Sequence, residues 1–203
     1  MHSKRLMTRK CRGWTKCFPS FAPRPPFLYS AQVILYNVNQ VKTPPTAYAD
    51  LWDPKWRGKV GLVDILYLAN TLAAALKSEE VWLTTMWLAR GFMWKKAGIP
   101  LSHVVPKEGA ASIIFEASVP RNARNKEAGF TYLDAMLDPK AQVAFADKMG
   151  YVPTVSDAVL PEDIAGQVAL GEGDRAKLLQ PDYKYQAERS QRTLDFWNKQ
   201  FKG

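Results

Sequence analysis

The sequence predicts an α/β fold in which the short strands of a mostly parallel sheet alternate with helices. Residues 31–36 form an apolar run with β-branched members, which is typical of a strand buried on both faces. Other segments carry apolar residues at helical spacing. This alternation favours a parallel sheet over an all-helical or all-β fold. The 203 residues, 47% of them apolar, suffice for the core of one or two small lobes.

Residues 44–64 carry the most informative local pattern, a short helix followed by a turn and a strand. Thr46 is the expected N-cap, and Pro54 disfavours helical backbone at the residue before it, so the helix ends there. Residues 60–63 are predicted to be a buried strand with Asp64 at its carboxyl end, where open α/β sheets present residues to ligands. The expected apolar face of the helix comprises Tyr48, Leu51 and Trp52.

The remaining elements are predicted from the spacing of apolar residues and from the glycine, proline and capping residues at helix ends. Further strands are predicted at residues 80–87, 103–105 and 112–119, and helices at 67–77, 89–97, 126–137, 139–149 and 183–201, with a short one after Pro161. Gly98 fits the position after a helix end, and Asp138 fits the cap before Pro139. The expected apolar faces of the last three long helices are Phe130, Leu133 and Leu137; Ala141, Phe145 and Met149; and Leu194, Trp197 and Phe201.

Positive charge is concentrated at the start of the chain. Residues 1–27 hold seven basic residues and no acid, so they account for most of the net charge of +9. Four prolines between Pro19 and Pro26 oppose regular structure, and we expect an irregular leader. No apolar run follows the basic start, so no secretory signal is recognisable. A cationic leader that associates with nucleic acid is the alternative of another class.

Metal, cofactor and catalytic motifs are missing from the sequence. The spacing of Cys11 and Cys17 fits neither a redox pair nor a zinc knuckle, and His2 and His103 stand alone. Nucleotide-binding glycine loops, the nucleophile elbow and the zinc-protease motif do not occur. We therefore expect no metal, no cofactor, no catalytic residues and no enzymatic activity.

Three stretches, in order, resemble the bacterial extracellular solute-binding proteins of ABC importers, in particular their polyamine and iron-type branch. The first contains Pro-Thr-Ala-Tyr-Ala-Asp-Leu-Trp-Asp-Pro-Lys-Trp-Arg-Gly-Lys-Val within residues 33–64. The second covers residues 98–110, and the third residues 119–154, with Val-Pro-Arg-Asn, Met-Leu-Asp-Pro and Met-Gly-Tyr-Val-Pro-Thr. The resemblance implies a type II periplasmic-binding-protein fold with two α/β lobes that close around one solute.

The resemblance also implies a domain layout. It comprises a leader (1–27), a first crossover strand with its turn (28–45), a second lobe (46–111), a return crossover (112–124) and the carboxyl-terminal helical part of the first lobe (125–203). Two departures indicate a shortened member: only the leader stands where most of the first lobe is usual, and a helix-and-strand segment usual after Lys77 is missing. We therefore expect an incomplete first lobe.

The resemblance assigns a candidate ligand site that suits a small organic cation, since carboxylates supply charge and aromatic faces supply cation–π contact. Leu68 and Phe115 stand where polyamine binders place further acids, and Arg90 favours an anionic group instead. The candidate ligand-binding residues are Tyr29, Asp64, Trp87, Arg90 and Glu116.

The functional expectation is the substrate-binding component of an ABC importer, with a polyamine or similar cation as solute. Iron(III) or a small carboxylate is the alternative within the family, and a degenerate protein without a ligand is a third. The implied partners are the small solute and the importer's permease subunits in the membrane, with no nucleic acid favoured and a monomeric chain. The implied location is the periplasm.

Overall fold

The computed structural model of the chain describes residues 26–63 and 69–202. The strands of this part are β1 (Pro26–Asn37), β2 (Val60–Gly61), β3 (Leu83–Trp87), β4 (Leu101–Val104), β5 (Ala110–Glu116), β6 (Val152–Pro153) and β7 (Leu178–Leu179). The helices are α1 (Ala69–Lys77), α2 (Leu88–Lys96), α3 (Lys126–Met136), α4 (Pro139–Met149), α5 (Glu162–Val168), α6 (Glu172–Arg175) and α7 (Tyr183–Trp197). Two 3₁₀ turns precede β2, at Tyr48–Trp52 and Pro54–Trp56, and α7 continues as a π-turn, Asn198–Lys202.

Strand β1 joins the two parts of the sheet. Its second half pairs antiparallel with β3 and β4, and its first half pairs antiparallel with β5 and β6. The pairs β2–β3 and β5–β7 are parallel. The α/β prediction is therefore confirmed. Parallel pairing occurs where β2 and β7 join the sheet, whereas the central strand β1 is antiparallel to all four strands that pair with it.

The buried core follows from the apolar run that was predicted to be a strand. Alternate residues of β1 contribute to packing on opposite faces: Val33 and Leu35 join α1 and α2 on one face, and Ile34 joins Trp56 and Leu83 on the other. A separate cluster under α3 contains Phe130, Leu133 and Leu137, as expected from their spacing.

The start of β1 and the first 3₁₀ turn differ from the predictions. Strand β1 begins at Pro26, inside the stretch expected to be irregular, because a proline is tolerated as the first residue of a strand. Residues 1–25 lie outside the described part. Thr46 does not cap the next turn with its hydroxyl; instead the Asp50 carboxylate accepts bonds from the backbone N–H groups of Thr46 and Ala47 and from the Thr46 hydroxyl.

The capping predictions for α2 and α4 are confirmed. The Asp138 carboxylate accepts the backbone N–H groups of Lys140 and Ala141 ahead of Pro139. Gly150 ends α4 with φ +70°, and Gly98 follows α2 with φ +87°, conformations that glycine adopts at little cost.

The buried face of α4 is not the predicted one. Ala141 and Phe145 are exposed, whereas Gln142 and Ala146 are buried. The Gln142 amide explains the rotation, since it donates to the Phe27 carbonyl at 2.9 Å and accepts from the Thr154 N–H at 2.8 Å. Hydrogen bonds that tie α4 to β1 thus decide which face turns inward.

The long final helix α7 occurs where it was predicted, with the Asp182 carboxylate accepting from the Tyr185 N–H. Its apolar side chain Leu194 is exposed. No helix in the described residues combines the length and the apolar character needed to cross a membrane.

Candidate functional site

Trp87 and Arg90 lie at the edge of the sheet where β2 and β3 both end. The parallel register pairs Val60 with Leu83 and Gly61 with Thr84, so the carboxyl ends of the two strands lie on the same side of the sheet. Trp87 is the last residue of β3, and Arg90 lies in the first turn of α2; both are partly buried. Ligands of open α/β sheets bind at such carboxyl ends. Asp64, the predicted acid of this edge, lies outside the described residues.

A groove of about 550 Å³ opens beside this edge. Thr85 lines it and, being two residues from Trp87, lies on the same face of β3. The apolar side chains that line the groove are Tyr48, Leu51, Trp52, Pro54, Trp56, Val60 and Leu62. The Tyr48 hydroxyl donates to the Gln32 carbonyl at 3.2 Å, and Gln32 is the β1 partner of Trp87. The groove and the strand edge are therefore contiguous.

Burial and a nearby carboxylate raise the pKa of the Tyr48 phenol, with burial the larger cause and Glu108 the second. The Glu108 carboxylate also accepts the backbone N–H of Tyr48 at 3.2 Å. Tyr48 therefore stays neutral near pH 7 and is held in the wall of the groove by two hydrogen bonds.

Tyr29 is placed in the interior of the protein. It is 2% exposed and pairs with Ile114 and Val152 through its backbone. Burial raises the pKa of its hydroxyl, and the positive charge and hydrogen bond of Arg175 oppose that rise. Arginine can only donate, so the Arg175 guanidinium donates to the phenol oxygen. The hydroxyl thus has a partner within the protein.

Glu116 lies far from Trp87. It ends β5 opposite Pro26, whereas Trp87 lies opposite Gln32. Six residue steps of β1 separate these positions, roughly 20 Å at about 3.3 Å per residue. The Glu116 side chain is exposed. The structure therefore brings Trp87 and Arg90 together, leaves Glu116 apart from them, and buries Tyr29 in the neighbouring strand β1.

Next to Glu116, Phe115 joins an aromatic cluster. Its ring packs edge-on against Tyr151 at 5.2 Å and against Phe27 at 6.3 Å between centroids. This accounts for an aromatic residue where polyamine binders were expected to carry an acid.

Sequence reasoning missed two parts of this region. It assigned Tyr48, Leu51 and Trp52 to one face of a helix, but Trp52 is 82% exposed and borders the groove; the density of aromatic residues in this stretch was the available signal. Nothing in the sequence pointed to Arg175 as the partner of Tyr29. Among the described residues no group of three His, Cys, Asp or Glu side chains could hold a metal ion.

The sequence matches two family profiles, both described as bacterial extracellular solute-binding protein, over residues 65–172 and 24–79. The chain is 27% identical over 197 residues to the spermidine/putrescine-binding periplasmic protein of Escherichia coli (77% of this chain, 55% of that protein). It is 24% identical over 187 residues to spermidine/putrescine-binding periplasmic protein 1 of Haemophilus influenzae (71% and 52%). The chain therefore spans about half the length of the curated relatives it matches.

The alignment with the Escherichia coli protein contains gaps on this chain's side, because its 197 aligned positions exceed 77% of 203 residues.

Solved structures share the fold at low sequence identity. The spermidine/putrescine ABC transporter substrate-binding protein PotD of Streptococcus pneumoniae superposes with a TM-score of 0.72 at 16% identity, covering 93% of this chain and 76% of that one. An ABC transporter structure from Clostridium perfringens gives 0.72 at 14% identity (94% and 75%). These neighbours have the type II periplasmic-binding-protein fold, which confirms the predicted fold class.

The family consists of transport receptors rather than enzymes. Since one family profile spans more than half of the chain and the fold agrees, this chain belongs to the bacterial extracellular solute-binding proteins.

Proposed function

We propose that the chain acts as the solute receptor of an ABC importer and binds a small organic cation of the polyamine class where β2 and β3 end. The observation that carries this proposal is the parallel pairing of β2 with β3, which directs the carboxyl ends of both strands to the side of the sheet where Trp87 lies. The spermidine/putrescine specificity of the curated relatives supports the class of solute.

The chemistry of this edge suits an ammonium group. The face of a tryptophan attracts a cation by about 0.5–1 kcal/mol at exposed sites and by more when water is excluded. Asp64 follows Val63 in the sequence and is the residue we propose to neutralise the charge. In this proposal Trp87 and Asp64 bind one ammonium, and Arg90 limits how much further positive charge the edge accepts.

The lobe boundaries remain part of the proposal. Residues 46–111 form the second lobe, β1 and residues 112–124 are the crossovers, and residues 125–203 belong to the first lobe. The antiparallel pairing of β1 with β5 supports this layout. The receptor would deliver its solute, as a monomer in the periplasm, to the importer's permease subunits.

We expect the 203-residue chain by itself to bind its solute weakly. A receptor of this kind gains affinity when its two lobes close and exclude water, which strengthens polar contacts. This chain carries about half the length of its relatives. Where such an edge stays open to solvent, an ion pair contributes only about 0–1 kcal/mol.

Isothermal titration with putrescine, spermidine, ferric citrate and small carboxylates tests the solute class. We expect weak binding of the polyamines, reduced further in Asp64→Ala and Trp87→Ala and unchanged in Tyr132→Ala, which alters an exposed residue on α3. Micromolar affinity would contradict the expected weakness, and polyamine binding that Asp64→Ala and Trp87→Ala leave intact would place the site elsewhere.

Arg90 favours a second candidate, a carboxylate or ferric-carboxylate solute. Its guanidinium can form a bidentate pair with a carboxylate, and it lies one helical turn after Trp87. Binding of citrate without spermidine in the same titration would replace the polyamine proposal with this one.

A further inference from the structure

We propose that the groove lined by Trp52, Trp56 and Leu62 binds an extended peptide segment of a partner protein, with apolar side chains flanked by acidic ones. The segment would add as a strand along the outer edge of β2. This surface is separate in function from the strand ends assigned to the solute.

The groove is large, apolar and open. Its volume of about 550 Å³ falls within the range of about 300–1,000 Å³ common for binding pockets. Trp52 is 82% and Leu62 67% exposed. Large apolar side chains exposed side by side in this way mark interaction sites.

Strand β2 offers backbone groups along the same surface. It is the first strand in the order β2-β3-β1-β5-β7, and β3 is its partner among the described residues. The Lys59 carbonyl faces β3, since it accepts the N–H groups of Trp82 at 2.8 Å and Leu83 at 3.1 Å. Alternation along the strand then turns the backbone groups of Val60 and Leu62 outward, where an added strand can pair with them.

The side chains of the same two residues, Val60 and Leu62, line the groove. A peptide paired with their backbone would therefore place alternate side chains over the groove. Main-chain bonds combined with pockets for alternate side chains are the features of strand addition.

A tryptophan donor lies beside the groove. Trp56 lines it and is only 9% exposed, yet its indole Nε1–H has no hydrogen-bond partner among the residues that the structure describes. A buried donor without an acceptor is costly, so an acceptor supplied by a bound segment would be favourable. In this proposal the indole turns toward the groove, so that a carbonyl or carboxylate of the bound segment accepts its N–H.

The positive charge beside the groove favours an acidic segment. Among the described residues that line the groove, Arg57 is basic and Asp53 is acidic, and Asp53 is already neutralised by Lys55 at 3.0 Å, so the charge of Arg57 is left for a bound segment. A basic peptide would meet like charge. A second copy of this chain, paired edge to edge through β2, would bring two such basic rims together, so it is disfavoured as the occupant.

Tryptophan fluorescence titration with two synthetic peptides tests the proposal. The probes are acetyl-Asp-Val-Thr-Val-Glu-Val-Asp-amide and the same peptide with lysine at every acidic position. We expect saturable binding of the acidic peptide that weakens at high salt, and at least tenfold weaker binding of the basic one. No binding of the acidic peptide, or equal affinity for both, would overturn the proposal.

Matched variants locate the site. Trp52→Ala should lower the affinity for the acidic peptide at least fivefold. Arg57→Glu should lower the affinity for the acidic peptide and raise that for the basic one. Tyr132→Ala and Arg121→Glu, at exposed positions outside the groove, should change neither affinity. Equal effects in the control variants would overturn the assignment. Sedimentation of the free protein adds a last check: a dimer abolished by Trp52→Ala would show that the occupant is a second copy instead.

Discussion

The guanidinium of Arg175 donates a hydrogen bond to the buried hydroxyl of Tyr29, in the first half of strand β1. The segment that carries Arg175 also contacts β5: the Lys177 carbonyl accepts the Ala110 N–H at 3.1 Å, and the Leu179 carbonyl accepts the Ser112 hydroxyl at 3.0 Å. One segment thereby holds both strands that we propose to cross between the lobes.

Replacing Arg175 by alanine should lower the free energy of unfolding by about 1–3 kcal/mol, because the buried Tyr29 hydroxyl loses its donor. Tyr29→Phe should cost less, since it removes both the hydroxyl and its need for a partner. Urea unfolding of the two single variants and the double variant measures the coupling. The double variant should resemble Tyr29→Phe, and simple additivity of the two losses would argue against the bond.

Strand β1 and the caps of α4 were predictable because their signals are local. A run of apolar residues, an Asp-Pro pair and a terminal glycine act within a few positions of the chain. The burial of Gln142 was not predictable, since it depends on Phe27, Met136 and Thr154 meeting around one amide. Apolar periodicity alone therefore predicted, wrongly, that Phe145 lies on the buried face of α4.

Gly150→Ala should destabilise the protein by about 1–3 kcal/mol. Gly150 has φ +70°, which costs other residues about 1–2 kcal/mol, and an added Cβ would approach the Phe92 side chain to 2.7 Å, which adds overpacking. Gly166→Ala is the matched control: it lies within α5 with no atom within 4 Å of the added Cβ, so it should stabilise by about 0.5–1 kcal/mol. Thermal unfolding of both variants measures the difference, and equal shifts in Tm would show that the backbone conformation of Gly150 and its contact with Phe92 do not matter for stability.

His103 should make stability depend on pH. It lies on β4 beside a cavity of about 60 Å³. Burial lowers the pKa of its imidazole; the Asp174 carboxylate opposes this and the Lys95 ammonium adds to it. The unfolded chain therefore binds a proton more readily than the folded one below the ordinary pKa of about 6.5, so stability should fall as pH falls through and below that value.

His103→Gln should remove this loss of stability on acidification, whereas His2→Gln, at the other histidine of the chain, should retain it. Urea unfolding between pH 5 and 7.5 measures the slope of stability against pH for each. An unchanged slope in His103→Gln would assign the dependence to other groups.

In the candidate site too, residues that are close in sequence were placed correctly, and residues on different strands were not. Trp87 and Arg90 share an edge because they are three residues apart at a strand-to-helix junction, which the sequence shows. Glu116 was grouped with them by resemblance, but β3 and β5, which both run antiparallel to β1, end at different positions along it, β3 opposite Gln32 and β5 opposite Pro26. Only the register, which the sequence does not reveal, separates them.

Arg90→Gln should distinguish the two classes of solute. A positive charge one helical turn from Trp87 repels a polyamine and attracts a carboxylate, and a unit charge about 4 Å away is worth about 1 kcal/mol in water, or roughly fivefold in affinity. The variant should therefore bind spermidine about fivefold more tightly and citrate about fivefold more weakly than the parent chain. Arg124→Gln, at an exposed position before α3, should change neither.

The measurement is calorimetric titration of both solutes at 20 mM and 200 mM salt. Both effects of Arg90→Gln should shrink at the higher salt concentration, since exposed charges are screened over about 10 Å at 0.1 M. If the variant loses citrate and gains nothing for spermidine, Arg90 contacts a carboxylate directly and the receptor belongs with the anionic solutes. If neither affinity changes while Trp87→Ala abolishes binding, the solute lies on the side of Trp87 that faces away from α2, and Arg90 has no part in the site.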